Sequence, residues 1–132
     1  MEKTFIMIKP DGVKRALMGE IIKRIENKGF TIVEAKLIKP EREVVEKHYD
    51  EHREKPFFGD LVDFIANGKV LAMIVEGNEA IKSMRNLIGD KDHTIALPGT
   101  IRGDFAYSTT ENIIHGSDSK ESADREMNIW FK

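Results

Sequence analysis

The chain has 132 residues, of which 40% are hydrophobic and 33% are charged, with a formal net charge of −2 and no cysteine. This length and composition predict a single globular domain over residues 1–132, large enough to bury a core. The nearly balanced charge argues against nucleic acid as the main partner, and the lack of cysteine excludes disulfides and thiolate metal sites.

The first elements are a strand and a helix. Thr4 to Ile8 is a short apolar run closed by Pro-Asp-Gly, which predicts a buried strand that enters a turn. Isoleucines at helical spacing then stop before Gly29, a residue well suited to leaving a helix. This opening lacks the basic flank and cleavage site of a signal peptide, and no apolar run in the chain could span a bilayer. We therefore expect a cytoplasmic protein with no membrane partner.

The middle of the chain predicts a second strand and a pair of helices. Residues 30–39 alternate apolar and charged side chains, as a half-buried strand does, and the inward residues would be Val33, Ala35 and Leu37. Helical spacing follows over 41–52 and 57–66. Pro56 lies between the two segments, because proline disfavours helical geometry in the residue before it.

The last part of the chain surrounds a long irregular segment. Val70 to Val75 is almost continuously apolar and predicts a central strand, after which Asn78 would cap a helix. From Asp90 to about Arg102 the pattern dissolves into polar residues, which predicts a functional surface loop. Residues 112–115 read as a last strand and 119–130 as a last helix.

This order of elements predicts an α+β fold of the ferredoxin-like split βαβ type. The expected architecture is a four-stranded antiparallel sheet covered by helices, with an inserted helix pair and a long functional loop. A fold of this kind hosts many activities, so function has to be argued from a site.

The segment NIIHGSDS carries the most chemical information. It places His115 at the end of a strand, immediately before a Gly-Ser-Asp-Ser turn that opens a helix. The unpaired N–H groups of a helix N-terminus attract anions, and a neutral imidazole is available as a nucleophile near pH 7. Glu126 lies on the same helix and could fix the tautomer of the ring. The alternative is a solvated loop histidine beside ordinary helix caps.

Other side chains offer phosphate and base contacts. Lys9 follows a buried strand, and Arg85 and Arg102 could together clamp phosphate oxygens, although each could equally be a surface cation. Phe57 and the following phenylalanine could stack on a base or belong to the core. Walker A and Gly-x-Gly-x-x-Gly patterns are absent, as are clustered carboxylates. A divalent ion would therefore arrive on the phosphates, as Mg²⁺ often does.

NIIHGSDS, together with IKPDGV near the start and PGTIRGDF from Pro98 to Phe105, resembles the nucleoside diphosphate kinase family over essentially the whole chain. The resemblance implies that His115 is phosphorylated and that Ser117 and Glu126 orient it, with Tyr49 in support. It implies that the nucleotide's phosphates and ribose contact Lys9, Arg85, Arg102 and Asn112, and that its base contacts Phe57 and Leu61.

The implied reaction moves the γ-phosphate of a nucleoside triphosphate, typically ATP, to a nucleoside diphosphate by a ping-pong mechanism, with Mg²⁺ on the phosphates. A homo-oligomer, either a tetramer or a hexamer, is also implied. Two alternatives stay open from the sequence. One is a ferredoxin-like module that binds an anion or RNA, and the other is a family member with impaired catalysis.

The sequence departs from the family pattern near the phosphates and near the base. Lys91 stands where the family usually has a phosphate-contacting threonine, and Thr94 follows three residues later. Lys91 is retained as a candidate phosphate ligand, because an ammonium group can contact phosphate as a point charge. Thr109 and Thr110 replace a valine and a glycine, which alters the packing expected beside the base.

Overall fold

A computed structural model describes all 132 residues. Four strands form one sheet in the order β2-β3-β1-β4, and every neighbouring pair is antiparallel. The strands are β1 (Glu2–Ile8), β2 (Thr31–Ile38), β3 (Val70–Gly77) and β4 (Ile114–Gly116). The predicted four-stranded α+β fold is confirmed.

Seven α-helices accompany the sheet. They are α1 (Pro10–Lys14), α2 (Met18–Asn27), α3 (Arg42–His48), α4 (Phe58–Ala66), α5 (Ala80–Ile88), α6 (Ile101–Phe105) and α7 (Lys120–Phe131). A 3₁₀ turn, Asp50–His52, follows α3. The pair α3 and α4 is the predicted insertion, and the predicted loop occupies the chain between α5 and α6. None of these helices is both long enough and apolar enough to cross a bilayer.

Helices cover both faces of the sheet, which explains why β1 is apolar without alternation. Phe5 and Met7 pack with residues of α3, α4 and α7 in one cluster. Ile6 and Ile8 pack with residues of α2 and α5 in a second cluster on the opposite face. Successive side chains of a strand point to opposite faces, so a strand between two helical layers is buried at every position.

The prediction for β2 was wrong about its inward face. Val33 and Leu37 are 41% and 48% exposed, whereas Ile32 and Ile38 pack against the two core clusters. The pairing of β2 with β3 shifts register between Ile32 and Glu34. A bulge of this kind moves the later residues to the other face, and β2 is an edge strand that the helices cover incompletely.

Two local predictions were also wrong. Pro-Asp-Gly does not form a turn but begins α1, where proline at the first helical position loses no hydrogen bond. Asn78 does not cap α5, because its N-cap is Glu79 with φ +49°. The carboxylate of Glu2 instead accepts a hydrogen bond from the backbone N–H of Ile81. A cap supplied from a distant strand leaves no signal beside the helix.

Candidate active site

A cavity of about 570 Å³ opens where the start of α1, the helix pair and the last strand meet. Ten of the eleven residues singled out in the sequence line it: Lys9, Tyr49, Phe57, Leu61, Arg85, Lys91, Arg102, Asn112, His115 and Glu126. The remaining one, Ser117, lies behind Glu126 and hydrogen bonds to it. A larger and more open groove of about 1030 Å³ along α1 and α4 contains none of the eleven, so size alone does not identify the site.

His115, Ser117 and Glu126 form one hydrogen-bonded cluster. Nε2 of His115 lies 2.8 Å from Oε1 of Glu126, and the hydroxyl of Ser117 donates to the same oxygen at 2.6 Å. The carboxylate accepts both bonds, so Nε2 of the ring carries the proton. Nδ1 is left with its lone pair free, and a neutral ring with a free nitrogen can act as a nucleophile.

Burial and three cations keep His115 neutral. Its side chain is 21% exposed. Burial, Lys9, Arg102 and Arg85 together lower the pKa of His115 to about 3. Burial raises the pKa of Glu126, and the hydrogen bond from Ser117 counteracts this rise. At neutral pH the ring therefore presents an unprotonated Nδ1.

The N-terminus of α7 is already capped by the protein. The hydroxyl of Ser119 accepts from the backbone N–H of Ser122 at 3.1 Å, and the side chains of Ser122 and Ser119 lower the pKa of Asp118. The helix end was expected to attract an anion beside His115, but the side chain of Ser119 already caps one of its N–H groups. Positive charge beside His115 is also supplied by the cationic side chains that line the cavity.

Three cations surround the cavity near His115, and backbone or side-chain oxygens fix each of them. Nζ of Lys9 donates to Oδ1 of Asn112 at 2.8 Å. Arg102 donates to the carbonyl oxygens of Ile114 at 2.6 Å, of Gly89 at 3.1 Å and of Asn112 at 3.4 Å. Arg85 donates to the carbonyl oxygen of Gly116 at 3.0 Å.

Burial and mutual repulsion lower the pKa values of Lys9 and Arg102. Lys9 and Arg102 are only 7% and 6% exposed. Burial and Arg102 lower the pKa of Lys9 to about 8, and burial and Arg85 lower the pKa of Arg102 to about 10. Positive charges held together in this way favour an anion between them.

A strained turn joins Asn112 to the strand of His115. Ile113 has φ +77°, which is unusual for a β-branched residue, and the N–H of Ile114 donates back to the carbonyl of Asn112 at 2.9 Å. The carboxylate of Asp11 accepts from the N–H of Ile113 at 3.0 Å. Bonds from outside the turn thus hold this backbone, and strain of this kind is typical of functional sites.

The outer end of the cavity is more open. Phe57 is 47% exposed. The ring of His52 lies 5.5 Å from that of Phe57, and the ammonium group of Lys55 lies 5.8 Å from the centre of the same ring. Leu61 is half-buried beside it, and Thr109 and Thr110 line the same cavity. A flat apolar ring at the mouth of a cavity can take a stacked base.

The structure separates the roles of Lys91 and Thr94. Lys91 lines the cavity, and Thr94 does not. The hydroxyl and the backbone N–H of Thr94 both bond to the carboxylate of Asp92, at 2.6 and 3.0 Å. Thr94 therefore has its hydrogen-bonding groups occupied within its own turn, and Lys91 is the residue of the two beside the cavity.

Reasoning from the sequence missed His48, His52 and Asp11. His48 is packed in the core, with its Nδ1 accepting from Nε1 of Trp130 at 2.9 Å. Its helical spacing with Val45 and Tyr49 marks the buried face, but nothing in the sequence indicates which distant residue it contacts. Tyr49 lines the cavity with its hydroxyl lacking a hydrogen-bond partner, and burial raises its pKa.

One group of side chains has the spacing of metal ligands. Ligand atoms of His48, His115 and Glu126 lie within 4.8 Å of one another. Two imidazoles and one carboxylate do not suit Mg²⁺, which prefers oxygen ligands in octahedral geometry. The described residues thus contain no cage for Mg²⁺.

Comparisons with known proteins point to one family. The family model described as nucleoside diphosphate kinase matches residues 2–132. A nucleoside diphosphate kinase from Exiguobacterium sibiricum is 57% identical over 132 residues, which is 100% of this chain and 96% of that protein.

Two solved structures share the fold closely. A nucleoside diphosphate kinase family protein from Babesia bovis has a TM-score of 0.98 and 53% identity, over 100% of this chain and 89% of that one. A halophilic nucleoside diphosphate kinase from Halobacterium salinarum, in complex with CDP, has a TM-score of 0.96 and 45% identity, over 99% of this chain and 88% of that one.

Proposed function

The chain belongs to the nucleoside diphosphate kinase family, and we propose that it carries the transferred phosphoryl group on Nδ1 of His115. It is a phosphotransferase that moves the γ-phosphate of a nucleoside triphosphate to a nucleoside diphosphate. Family membership favours this activity over an anion- or RNA-binding module and over an impaired relative.

The observation that carries the proposal is the pairing of His115 with Glu126. This pairing occupies Nε2 and leaves Nδ1 as the unprotonated nitrogen of a ring that lines the cavity. The hydroxyl of Ser117 donates to the same carboxylate oxygen, Oε1. As a bond forms from Nδ1 to phosphorus, positive charge develops on the ring, and the adjacent carboxylate stabilises it. Ser117 and Glu126 therefore orient the nucleophile.

Lys9, Arg85 and Arg102 would contact the phosphates, because these three cations share the cavity with His115. Asn112 would bind Lys9 and the ribose. Tyr49 has an unpartnered hydroxyl that would support the reacting group. The cations stabilise charge spread over the transferring group, and this is most of what phosphoryl transfer asks of a protein.

Two half-reactions complete the cycle. Nδ1 bonds to the γ-phosphorus of the triphosphate while the bond from that phosphorus to the bridging oxygen breaks, and the diphosphate leaves with the oxygen. A terminal oxygen of a second diphosphate then attacks the phosphorus on His115, the N–P bond breaks, and a new triphosphate leaves. Each half-reaction exchanges bonds of similar energy, so alignment is the main requirement.

Phe57 and Leu61 would hold the base. Stacking on an exposed ring discriminates among bases less than hydrogen bonds to their edges do, so we expect broad base tolerance. Lys91 would take the place of the family's threonine at the phosphates, a role supported by its position beside the cavity and by the engagement of Thr94 with Asp92.

Mg²⁺ would enter with the nucleotide. The only group of ligands with metal spacing is unsuited to it, so the phosphates themselves would hold the ion and the protein would bind the complex. This ion and the expected cytoplasmic location stay predictions.

We also propose that the protein is a homo-oligomer, a tetramer or a hexamer. The edge strand β2 exposes Val33 and Leu37, and the region of the long loop exposes Ile95, Leu97 and Tyr107. An unpaired sheet edge with apolar side chains is a surface that a second copy can cover. Light scattering of the purified protein would measure the subunit count, and a monomer at working concentration would contradict the proposal.

The phosphoenzyme can be tested directly. After incubation with ATP labelled at the γ-phosphate, we expect one label per chain that survives base and is lost in acid, as a phosphohistidine is. Addition of a nucleoside diphosphate should discharge the label into a triphosphate. A label stable to acid, or no label in an active preparation, would contradict the assignment to histidine.

A further inference from the structure

His48 is buried and held in one tautomer. It is 2% exposed, and its Nδ1 accepts from Nε1 of Trp130 at 2.9 Å. The indole N–H is a donor only, so Nδ1 of His48 must keep its lone pair and the proton must reside on Nε2. Protonation of Nδ1 would place two donors face to face. Trp130 therefore fixes both the tautomer and the neutral charge of His48.

The N–H of His48 at Nε2 has no hydrogen-bond partner. A buried donor without a partner is uncommon and destabilises the fold. The rings of His48 and His115 are 4.6 Å apart at 77°, and a ring nitrogen of His48 lies within 4.8 Å of the Glu126 carboxylate. His48 thus stands directly behind the pair that sets the tautomer of His115.

The protonation state of Glu126 controls the nucleophile. If Glu126 took up a proton it would donate to Nε2 of His115, the ring proton would move to Nδ1, and the nucleophilic lone pair would be lost. Groups on three sides of Glu126 affect this balance: His48 from α3, Arg125 from α7, and Asp118, Ser117 and His115 from the turn and strand before α7.

These groups do not act alike. Oε1 of Glu126 accepts from both Ser117 and His115, and Arg125 lies 3.6 Å from Oε2. Burial and Asp118 raise the pKa of Glu126, whereas the hydrogen bond from Ser117 and the charge of Arg125 lower it. His48 is neutral, so it acts on the carboxylate through the dipole of its unpaired Nε2–H. The side chain of Arg125 is 38% exposed and solvent screens its charge, whereas His48 acts from within the core.

We propose that His48, fixed by Trp130, is a positioning residue that keeps Glu126 ionised and so keeps Nδ1 of His115 free to accept a phosphoryl group. This inference rests on the proposed function of His115. It adds an inner link, running from Trp130 to His48 to Glu126, behind the cluster that touches the substrate.

Two substitutions separate the two nitrogens of His48. His48→Asn retains an acceptor near the position of Nδ1 for Trp130 and removes the inner donor. His48→Gln retains a donor near the position of Nε2 and gives up the acceptor. The rate of single-turnover phosphorylation by MgATP, measured from alkaline to acid pH, reports the fraction of chains with a usable Nδ1.

Loss of the donor favours protonated Glu126. As the pH is lowered, the phosphorylation rate of His48→Asn should therefore begin to fall at a higher pH than that of the parent. We expect the acid limb to move up by about one pH unit, the size of one weakened interaction with a carboxylate. In His48→Gln the acid limb should lie close to that of the parent. A limb unmoved in His48→Asn, or a rate lowered equally at every pH, would overturn the proposal, as would an equal shift in His48→Gln.

Trp130→Phe gives a second test that does not depend on activity. It frees His48 to carry its proton on either nitrogen, so ¹⁵N NMR of labelled histidine should show the proton of His115 beginning to appear on Nδ1 at higher pH than in the parent. This decides the question if His48→Asn does not fold, and an unchanged His115 tautomer would overturn the proposal. Failure of the parent to form phosphohistidine would instead contradict the proposed function.

Discussion

The inner end of the cavity and its outer end are built in different ways. At the inner end Lys9 and Arg102 are buried, and each donates to oxygens of the chain around Asn112. At the outer end Phe57 is half-exposed and meets only loosely placed neighbours. The inner end holds its charged groups in fixed positions, whereas the outer end offers an exposed aromatic ring. This division suits the proposed function, in which one phosphorus atom is positioned while several bases are accepted.

Removing the side chain of His115 should abolish the chemistry of the inner end. We expect His115→Ala to keep its fold and to lose phosphoenzyme formation and transfer, because His48 is locked in the neutral form with its inner nitrogen protonated and cannot substitute. Acid-labile labelling and steady-state transfer measure the loss. His93→Ala, which changes a loop histidine outside the cavity, is the matched control. Retained labelling of His115→Ala would contradict the assignment.

Arg102→Ala should give the next largest effect. The side chain would contact charge that grows in the transition state, so turnover should fall by roughly a hundredfold while the apparent nucleotide affinity changes less. The thermal midpoint should fall as well, because three carbonyl oxygens lose their donor. Steady-state kinetics separate kcat from KM. A loss confined to KM would assign Arg102 to ground-state binding only.

Lys91 lines the cavity at a position where the sequence departs from the family pattern. Lys91→Ala should slow the phosphorylation of His115 about tenfold, the cost of one charged hydrogen bond, and Lys91→Thr should recover much of the rate. Thr94→Ala is the control and should be nearly silent, since its hydroxyl is bound to Asp92. Single-turnover rates at saturating MgATP decide, and a rate within about twofold of the parent for Lys91→Ala would remove Lys91 from the site.

The lowered pKa of Lys9 gives the inner end a limit on the alkaline side. Its ammonium group is charged below about pH 8 and neutral above it, so phosphate binding in the free enzyme should weaken as the pH rises through that value. We expect kcat/KM for MgATP to fall several-fold over the next pH unit. In Lys9→Arg the fall should shift to higher pH, because guanidinium keeps its proton. An identical alkaline limb in both proteins would assign the fall to another group.

The outer end should respond least. Phe57→Leu keeps an apolar side chain but removes the flat ring, so KM should rise about threefold with little change in kcat. Comparison of purine and pyrimidine diphosphates checks the mechanism, because a larger base loses more stacking area. A fall in kcat with unchanged KM would place Phe57 in alignment of the phosphates rather than in binding of the base.

Most of the fold follows from local patterns, and the exceptions share one cause. The apolar runs of β1 and β3, the glycine after α2 and the capping serine of α7 all act within a few residues. The inward face of β2 was predicted wrongly because a bulge is set by its pairing with β3, and the Asn78 cap was wrong because Glu2 arrives from another strand.

In the site, too, features set by nearby residues could be predicted and features set by distant residues could not. The residues themselves offered His115 as a candidate nucleophile and three cations as candidate phosphate ligands, the resemblance implied their roles, and the structure brings them into one cavity. His48 could not be recognised, because its role depends on Trp130, 82 positions away. For the start of α7 the sequence left two readings open, an anion site or ordinary helix caps, and the structure shows Ser119 as a cap. Helix-start residues attract anions or satisfy the helix themselves, and the sequence does not distinguish the two.

Ile113 has a consequence for how this chain can change over generations. Glycine would relieve its backbone at φ +77°, but the isoleucine side chain is fully buried in the core, so that replacement would exchange strain for a cavity. A change at Asp11 would release the N–H of Ile113 that holds the turn. We therefore expect a saturation mutagenesis library to accept few single replacements at either position, with the two showing strong epistasis. The turn is a local optimum that a lineage leaves only by changing several residues together.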